Sequence, residues 1–157
     1  MKIRRDVGVP SKHVSDFRRL HHRCYNTSCK MKDFDAWNEK KKQVNERSDA
    51  PFCHARELWW CSLGLNVGSE QDGSGGEYRR PVLILKGLSA ATSLVIPLTT
   101  STRRHPLRPA VGLVDGKDAS ALLSQMRVID TKRLVRKIGY LDKDTFRNIR
   151  NAAKGML

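Results

Sequence analysis

The chain has 157 residues, 39% hydrophobic and 29% charged, with 30 Lys+Arg against 16 Asp+Glu and a formal charge of +14. That length and apolar content suit one domain of ordinary size plus an extension. No apolar run approaches the roughly 18 residues that would read as a membrane span. The basic start, MKIRRDVGVPSKHVSD, is followed by no apolar block, which excludes a secretory signal and leads us to expect a cytoplasmic protein. Positive charge is in excess in both parts, 13 Lys+Arg against 7 Asp+Glu up to residue 50 and 17 against 9 beyond it. Such a potential favours polyanions, through counterion release and faster encounter. An acidic protein partner fits the same charge.

Taken in order, residues 1–52 read as a helical, partly disordered extension and 53–157 as the main domain. Within the extension, Ser15 can cap a short helix over Asp16–Arg23. Asp33 can cap a second, up to Glu46, whose Phe34, Trp37, Lys41 and Val44 fall on one helical stripe. That second helix cannot bury its aromatics alone, so it is expected to dock on the main domain or on a second subunit. Pro51 breaks the helix within the linker Arg47–His54.

From Glu57 the pattern changes to strands. Leu58–Leu63 is closed by Gly64; Pro81–Lys86 and Thr92–Leu98 follow, the last ending in a run of hydroxyls from Thr99 to Thr102. Short strands are expected at Val111–Val114 and Ala119–Leu123 around an Asp115-Gly116 turn, and again at Gln125–Asp130. Thr131–Lys137 reads as a helical turn, and Asp142 as the cap of a closing helix with Phe146, Ile149 and Ala153 on one face. Short strands divided by turns and finished by a helix predict an α+β, mainly β, strongly bent small barrel.

Four cysteines (Cys24, Cys29, Cys53, Cys61) stand at C-x4-C and C-x7-C spacings, outside the tight pairs of structural zinc sites. Cys61 sits within a strand pattern as a small hydrophobe. No metal, disulfide or cofactor is expected.

Between the first two strands lies NVGSEQDGSGGEYRRPVLILK (residues 66–86), a Gly-rich polar loop emptying into a buried strand. It lacks the Lys-Ser/Thr and following helix of a phosphate-binding loop. Together with ELWWCSLGLNVGSEQDG, LVIPLTT, LLSQMRVIDTKRL and KIGYLDKDTF, in that order, it makes residues 57–150 resemble the MazF/PemK (Kid) family of toxin endoribonucleases. The resemblance implies an SH3-like (CcdB/MazF/PemK) barrel acting as a homodimer. It implies metal-independent, sequence-specific cleavage of single-stranded mRNA and inhibition by an acidic antitoxin.

In metal-free RNA cleavage the 2′-OH attacks the adjacent phosphorus. The protein must move two protons and stabilise charge on the phosphoryl oxygens. The family's motif makes Arg80 the catalytic arginine and Thr99, with Thr100 beside it, the hydroxyl partner; Thr99 as a strand-end cap is the alternative. Arg79, Arg103, Arg104 and Arg108 are the expected phosphate contacts. Gln125 and Arg127 are expected to line the groove or support the dimer, or Arg127 to pair with Asp130. Gln71 is grouped with the substrate residues, although it and Glu70 lean towards holding the shape of the loop, which reads as the flexible wall of an RNA groove.

An Asp and an Arg used by some relatives correspond here to Ser124 and Leu122, so no general base is assigned from that motif. His105 is the one histidine of the 57–150 stretch, which gives a two-histidine mechanism little support. A CcdB-like toxin that binds gyrase, and an inactive nucleic-acid-binding domain of the same fold, are the competing readings.

Overall fold

A computed structural model describes residues 31–156 of the protein. The helix expected over Asp16–Arg23 and the cysteines Cys24 and Cys29 lie outside these residues. The chain divides at residue 33 into a first part, Met1–Lys32, and a second, compact unit, Asp33–Leu157. The second holds a helix α1 (Phe34–Glu46), seven strands and a closing helix α2 (Lys143–Lys154). The strands are β1 (Glu57–Ser62), β2 (Arg79–Gly87), β3 (Thr92–Thr99), β4 (Ala110–Val114), β5 (Lys117–Ala121), β6 (Arg127–Asp130) and β7 (Leu134–Tyr140). α1, which the sequence pattern groups with the extension, thus lies in the same compact unit as the sheet.

The strands pair antiparallel in the order β4-β5-β3-β2-β1-β7. β3 serves two neighbours on one edge: Thr92–Val95 pairs with β6, and Leu98–Thr99 with β5. One strand can serve two partners only if the sheet curls, and register shifts between β1 and β7 and between Ile84 and Lys86 on β2 supply the bend. The result is the curled, mainly β half-barrel with a C-terminal helix that the sequence predicts. β1 lies between β2 and β7, and its residues are buried on both faces of the sheet. Its alternate residues therefore feed two cores. Leu58 joins Leu83, Ile96 and Leu98 under Phe146 and Ile149 of α2, whereas Trp59 and Cys61 join Val82, Ile84 and Val95. Cys61 is fully buried, and burial pushes its thiol up to about 12.

Asp115 (φ 50°) and Gly116 (φ 77°) make the two-residue β4–β5 turn, both in the left-handed region that such hairpins require. Asp142 caps α2 by accepting from the Asp144 and Thr145 amides. Thr131–Lys137 differs from expectation: only Thr131–Arg133 forms a 3-10 turn, and Leu134 already belongs to β7. Pairing with β1 takes the remaining residues, so a local cationic run is overridden by the sheet. Similarly, Leu123–Gln125 is a 3-10 turn, and β6 starts only at Arg127.

α1 is seated by its ends. Asp33 accepts from the Ala36 amide at the start, and Trp37 is 5% exposed. The expected stripe is buried only at Trp37; Phe34 is 48% exposed. At the other end Arg47 donates to the Lys132 and Leu134 carbonyls (2.7 and 3.1 Å), and Lys132 donates to the Asn45 carbonyl (2.9 Å).

The buried charge of the domain is Glu57, 2% exposed. It accepts from the Lys137 ammonium (2.6 Å) and the Trp59 indole (2.7 Å). Burial pushes its carboxyl up, but these donors outweigh burial and hold it at about 2.

Candidate active site

The Gly-rich loop is fastened at its neck. Gly64 donates to the Tyr78 carbonyl (3.1 Å), and Gly73 donates to the Gly64 carbonyl (2.8 Å). Ser74 and Arg79 exchange a pair of backbone bonds at 2.8 and 3.0 Å. Further along, the Asp72 carboxylate accepts from the Asn66 amide (2.6 Å), and Asn66 donates to the Gln71 carbonyl (2.8 Å).

Gln125 reaches over from the 3-10 turn to accept from the Gln71 amide (3.0 Å) and donate to the Ser69 carbonyl (3.4 Å). Arg127 donates to the Asn66 side chain at 3.2 Å. Its partner is therefore Asn66, while Asp130 caps the Thr131–Arg133 turn. Gln71, Gln125 and Arg127 thus come together as braces of the loop, and they line none of the three clefts described below. Gln71 has the shape-holding role towards which the sequence leaned. Glu70 does not: it is exposed and its carboxylate makes no hydrogen bond among the described residues, the task falling to Asp72. The loop is in consequence a cross-braced wall, where the sequence suggested a flexible one.

This wall holds Arg80. Arg80 Nε donates to the Asp72 carbonyl (2.5 Å) and Nη1 to the Leu98 carbonyl at the end of β3 (3.1 Å). Nη2 makes no hydrogen bond among the described residues. Burial lowers the proton affinity of the guanidinium, while the Asp72 carboxylate raises it; arginine remains a cation through such shifts. The β2–β3 register pairs Val82 with Pro97 and Leu83 with Ile96. Continued by two residues, it sets Arg80 across from Thr99. The Thr99 hydroxyl accepts from the Ser101 amide (3.2 Å), so it caps the strand end while keeping its proton to donate.

Arg80, Thr99 and Thr100 line one cleft of about 480 Å³ with Trp60, Asp115 and Lys117. Thr100 and Ser101 are shared with a second cleft of about 630 Å³, lined by Arg103, Arg104, His105 and Arg108. Trp60, Ser74 and Asp115 are shared with a third of about 540 Å³, lined by Arg79 and Arg136. The Arg80 cleft thus shares lining with each of the other two, and the three are taken together as one trough. The side chains of Arg103, Arg104 and Arg108 make no hydrogen bond or ion pair among the described residues. Arg79 is tied to Glu77 (3.0 Å), and its buried Nε has no partner.

Among the trough residues that escaped the sequence reading are Trp60, Asp115, Lys117 and Arg136. Asp115 and Lys117 are neighbours of a hairpin turn, and their position beside Arg80 follows only from the β3–β5 pairing. Asp115 accepts from the Trp60 indole (3.2 Å) and lies 3.5 Å from Arg136. It is the one carboxylate lining the cleft with Arg80. Leu122 is buried in the core, and Ser124 is exposed. His105 Nδ1 accepts from the Leu107 amide (3.1 Å), which leaves Nε2 to carry the proton of the neutral ring. No group of three or more His, Cys, Asp or Glu among the described residues is placed to hold a metal ion.

The curled, mainly β sheet closed by a C-terminal helix defines the class, a small half-barrel domain. Residues 54–157 match the family described as PemK-like, MazF-like toxin of type II toxin-antitoxin system, and the chain belongs to that family. Among solved structures it is similar to MazF from Deinococcus radiodurans, at 20% identity and a TM-score of 0.57, over 68% of this chain and 96% of that one. MazF in a MazE-MazF structure from the same organism matches at 16% identity and a TM-score of 0.51, over 68% and 95%. The Mycobacterium tuberculosis toxin MazF-mt6 matches at 21% and 0.50, over 64% and 94%. At these identities the likeness is one of fold.

Proposed function

We propose that this protein is the toxin of a type II toxin-antitoxin system and acts as a metal-independent, sequence-specific endoribonuclease on single-stranded mRNA in the cytoplasm. The observation that carries the reading is Arg80 set across from Thr99 in the middle of an arginine-lined trough. The substrate's 2′-OH attacks the neighbouring phosphorus, the 5′ oxygen leaves, and a 2′,3′-cyclic phosphate results. Arg80 Nη2 and the hydroxyls of Thr99 and Thr100 hold the non-bridging oxygens as their charge grows. Asp115 takes the proton of the 2′-OH, and solvent water gives one to the departing 5′ oxygen. Arg79 on one side and Arg103, Arg104 and Arg108 on the other hold flanking phosphates. Gln71, Gln125 and Arg127 serve substrate binding indirectly, through the shape of the wall.

The partners in this reading are a second copy of the chain and an acidic antitoxin. The matched MazE-MazF structure and the charge of +14 support the antitoxin. No helix among the described residues is long and apolar enough to cross a membrane.

Incubating the purified protein with a long single-stranded RNA in EDTA tests the reading. Discrete cuts ending in 2′,3′-cyclic phosphate, lost in Arg80→Ala, are expected. No cutting of varied RNAs, with inhibition of gyrase or simple RNA retention in its place, would sink it in favour of a binding toxin or an inactive domain. Asp115→Asn is expected to cut about 100-fold more slowly.

A further inference from the structure

α1 precedes the residues that match the family, 54–157, yet it touches the candidate site's supporting loop directly. The Trp37 ring packs edge-on against Tyr78, centroids 5.3 Å apart at 64°, at the neck where Tyr78 and Gly64 are bonded. Gly64 has φ +88°, and a Cβ placed on it would stand 2.1 Å from Trp37 Cζ2. The indole thus fills the space that a side chain at position 64 would occupy. On its other side the Arg133 guanidinium lies 5.8 Å from the ring centroid, itself held by the Ser62 carbonyl at 3.0 Å. One turn further on, Lys40 pairs at 2.8 Å with Glu77, the residue that also holds Arg79.

The contacts continue from that neck to the reacting centre. Gly73 is bonded to Gly64, and a Cβ at Gly73 would meet the Tyr78 carbonyl at 1.8 Å, so the two limbs of the loop lie against each other. The residue before Gly73 is Asp72, whose carbonyl receives Arg80 Nε. A shift of the neck therefore moves the acceptor that orients the guanidinium.

We infer that α1 is part of the catalytic unit: Trp37, seated on Gly64 and Tyr78, is a positioning residue that fixes the β1–β2 loop and, through Asp72, Arg80. The inference rests on the endoribonuclease reading for its kinetic arm alone. Placement of a reacting group to within about 1 Å is worth about 100-fold in rate, so the loss should appear in kcat. Lys40, reaching the same loop through Glu77, acts in the same direction more weakly.

The test compares full-length wild type with Trp37→Ala, Trp37→Phe and Lys40→Ala by single-stranded RNA cleavage kinetics and by peptide-resolved hydrogen exchange. Trp37→Ala is expected to lower kcat about 10-fold or more with KM within about twofold. It should speed exchange in peptides covering residues 64–78 while β2 and β3 stay protected. Trp37→Phe, which keeps an aromatic edge on Tyr78, should recover most of both. Equal loop exchange in wild type and Trp37→Ala overturns the inference, as does faster loop exchange at unchanged kcat. Should Trp37→Ala fail to fold, Trp37→Leu takes its place with the same outcomes deciding. A wild type that cuts no RNA removes the nuclease reading, and the exchange measurement then decides by itself whether Trp37 sets the loop.

Discussion

Along the wall between β1 and β2, several polar residues are tied to other parts of the fold: Asn66 to Arg127, Gln71 to Gln125, Asp72 to Arg80 and Glu77 to Lys40. The facing wall, from Thr100 to Pro109, closes mainly on itself. Ser101 bonds to Thr99, Arg103 to Ser101 and Arg108 to His105, while its three arginine side chains bond to nothing described. Under the proposed function the contrast follows from two tasks. A guanidinium that must meet one phosphorus needs a fixed position, and fixing it uses hydrogen bonds. Cations that hold a flexible polyanion need their donors unspent, since each gains by displacing counterions.

Breaking the fixed wall at its centre should have the largest effect. Arg80→Ala is expected to reduce RNA cleavage about 100- to 1000-fold, measured in single-turnover assays with EDTA present. Arg80→Lys should recover little, because an ammonium cannot span the Asp72 and Leu98 carbonyls and a phosphate together. Gly64→Ala comes next. It puts a methyl into the Trp37 ring at a backbone angle unsuited to alanine, and should cost about 2–4 kcal/mol in urea unfolding.

Outside both walls, the Glu57 carboxyl sits at about 2 in the folded state against an ordinary value of 4.5. Its contribution is fully present above pH 4.5 and is lost as pH falls towards 2. With Lys137 partly exposed, about 1–3 kcal/mol is at stake. Glu57→Gln should lower stability at neutral pH and flatten the acid limb of the unfolding curve between those values. The smallest effects belong to the unfastened wall. Replacing Arg103, Arg104 and Arg108 together by Ala should leave the unfolding midpoint unchanged and weaken RNA binding. If each holds one phosphate, the slope of log K against log salt falls by about 2. An unaltered slope would show that the phosphates run elsewhere.

Much of the fold was legible because its signals are local: runs of apolar, β-compatible residues for β1 to β3, the Asp115-Gly116 turn, and the capped helices at Asp33 and Asp142. The facing of Arg80 and Thr99 was also accessible, as both sit at ends of neighbouring strands. What could not be read depends on distant pairing. Thr131–Lys137 has a helical texture, but Leu134 is claimed by β1, and Arg127 is nearer in sequence to Asp130 yet bonds Asn66 across the fold. Asp115 looked complete as a turn residue, since nothing in its neighbourhood announces that β5 will carry it beside Arg80. Glu70 and Asp72 are equivalent in composition, and only the path of the loop decides which one turns inward.

Gly64 and Trp37 also bear on how such a chain can change over descent. The indole occupies the room that the glycine leaves, so each residue restricts what the other can become. A lineage that lost α1 would leave a hollow the size of a ring above the loop neck, and position 64 would then be open to residues now excluded on steric grounds. In a Trp37→Ala background, Gly64→Ala should cost less than it does alone, leaving only the strain of its backbone angle. The glycine is thus matched to the helix from within the two thirds of the chain that the family model covers.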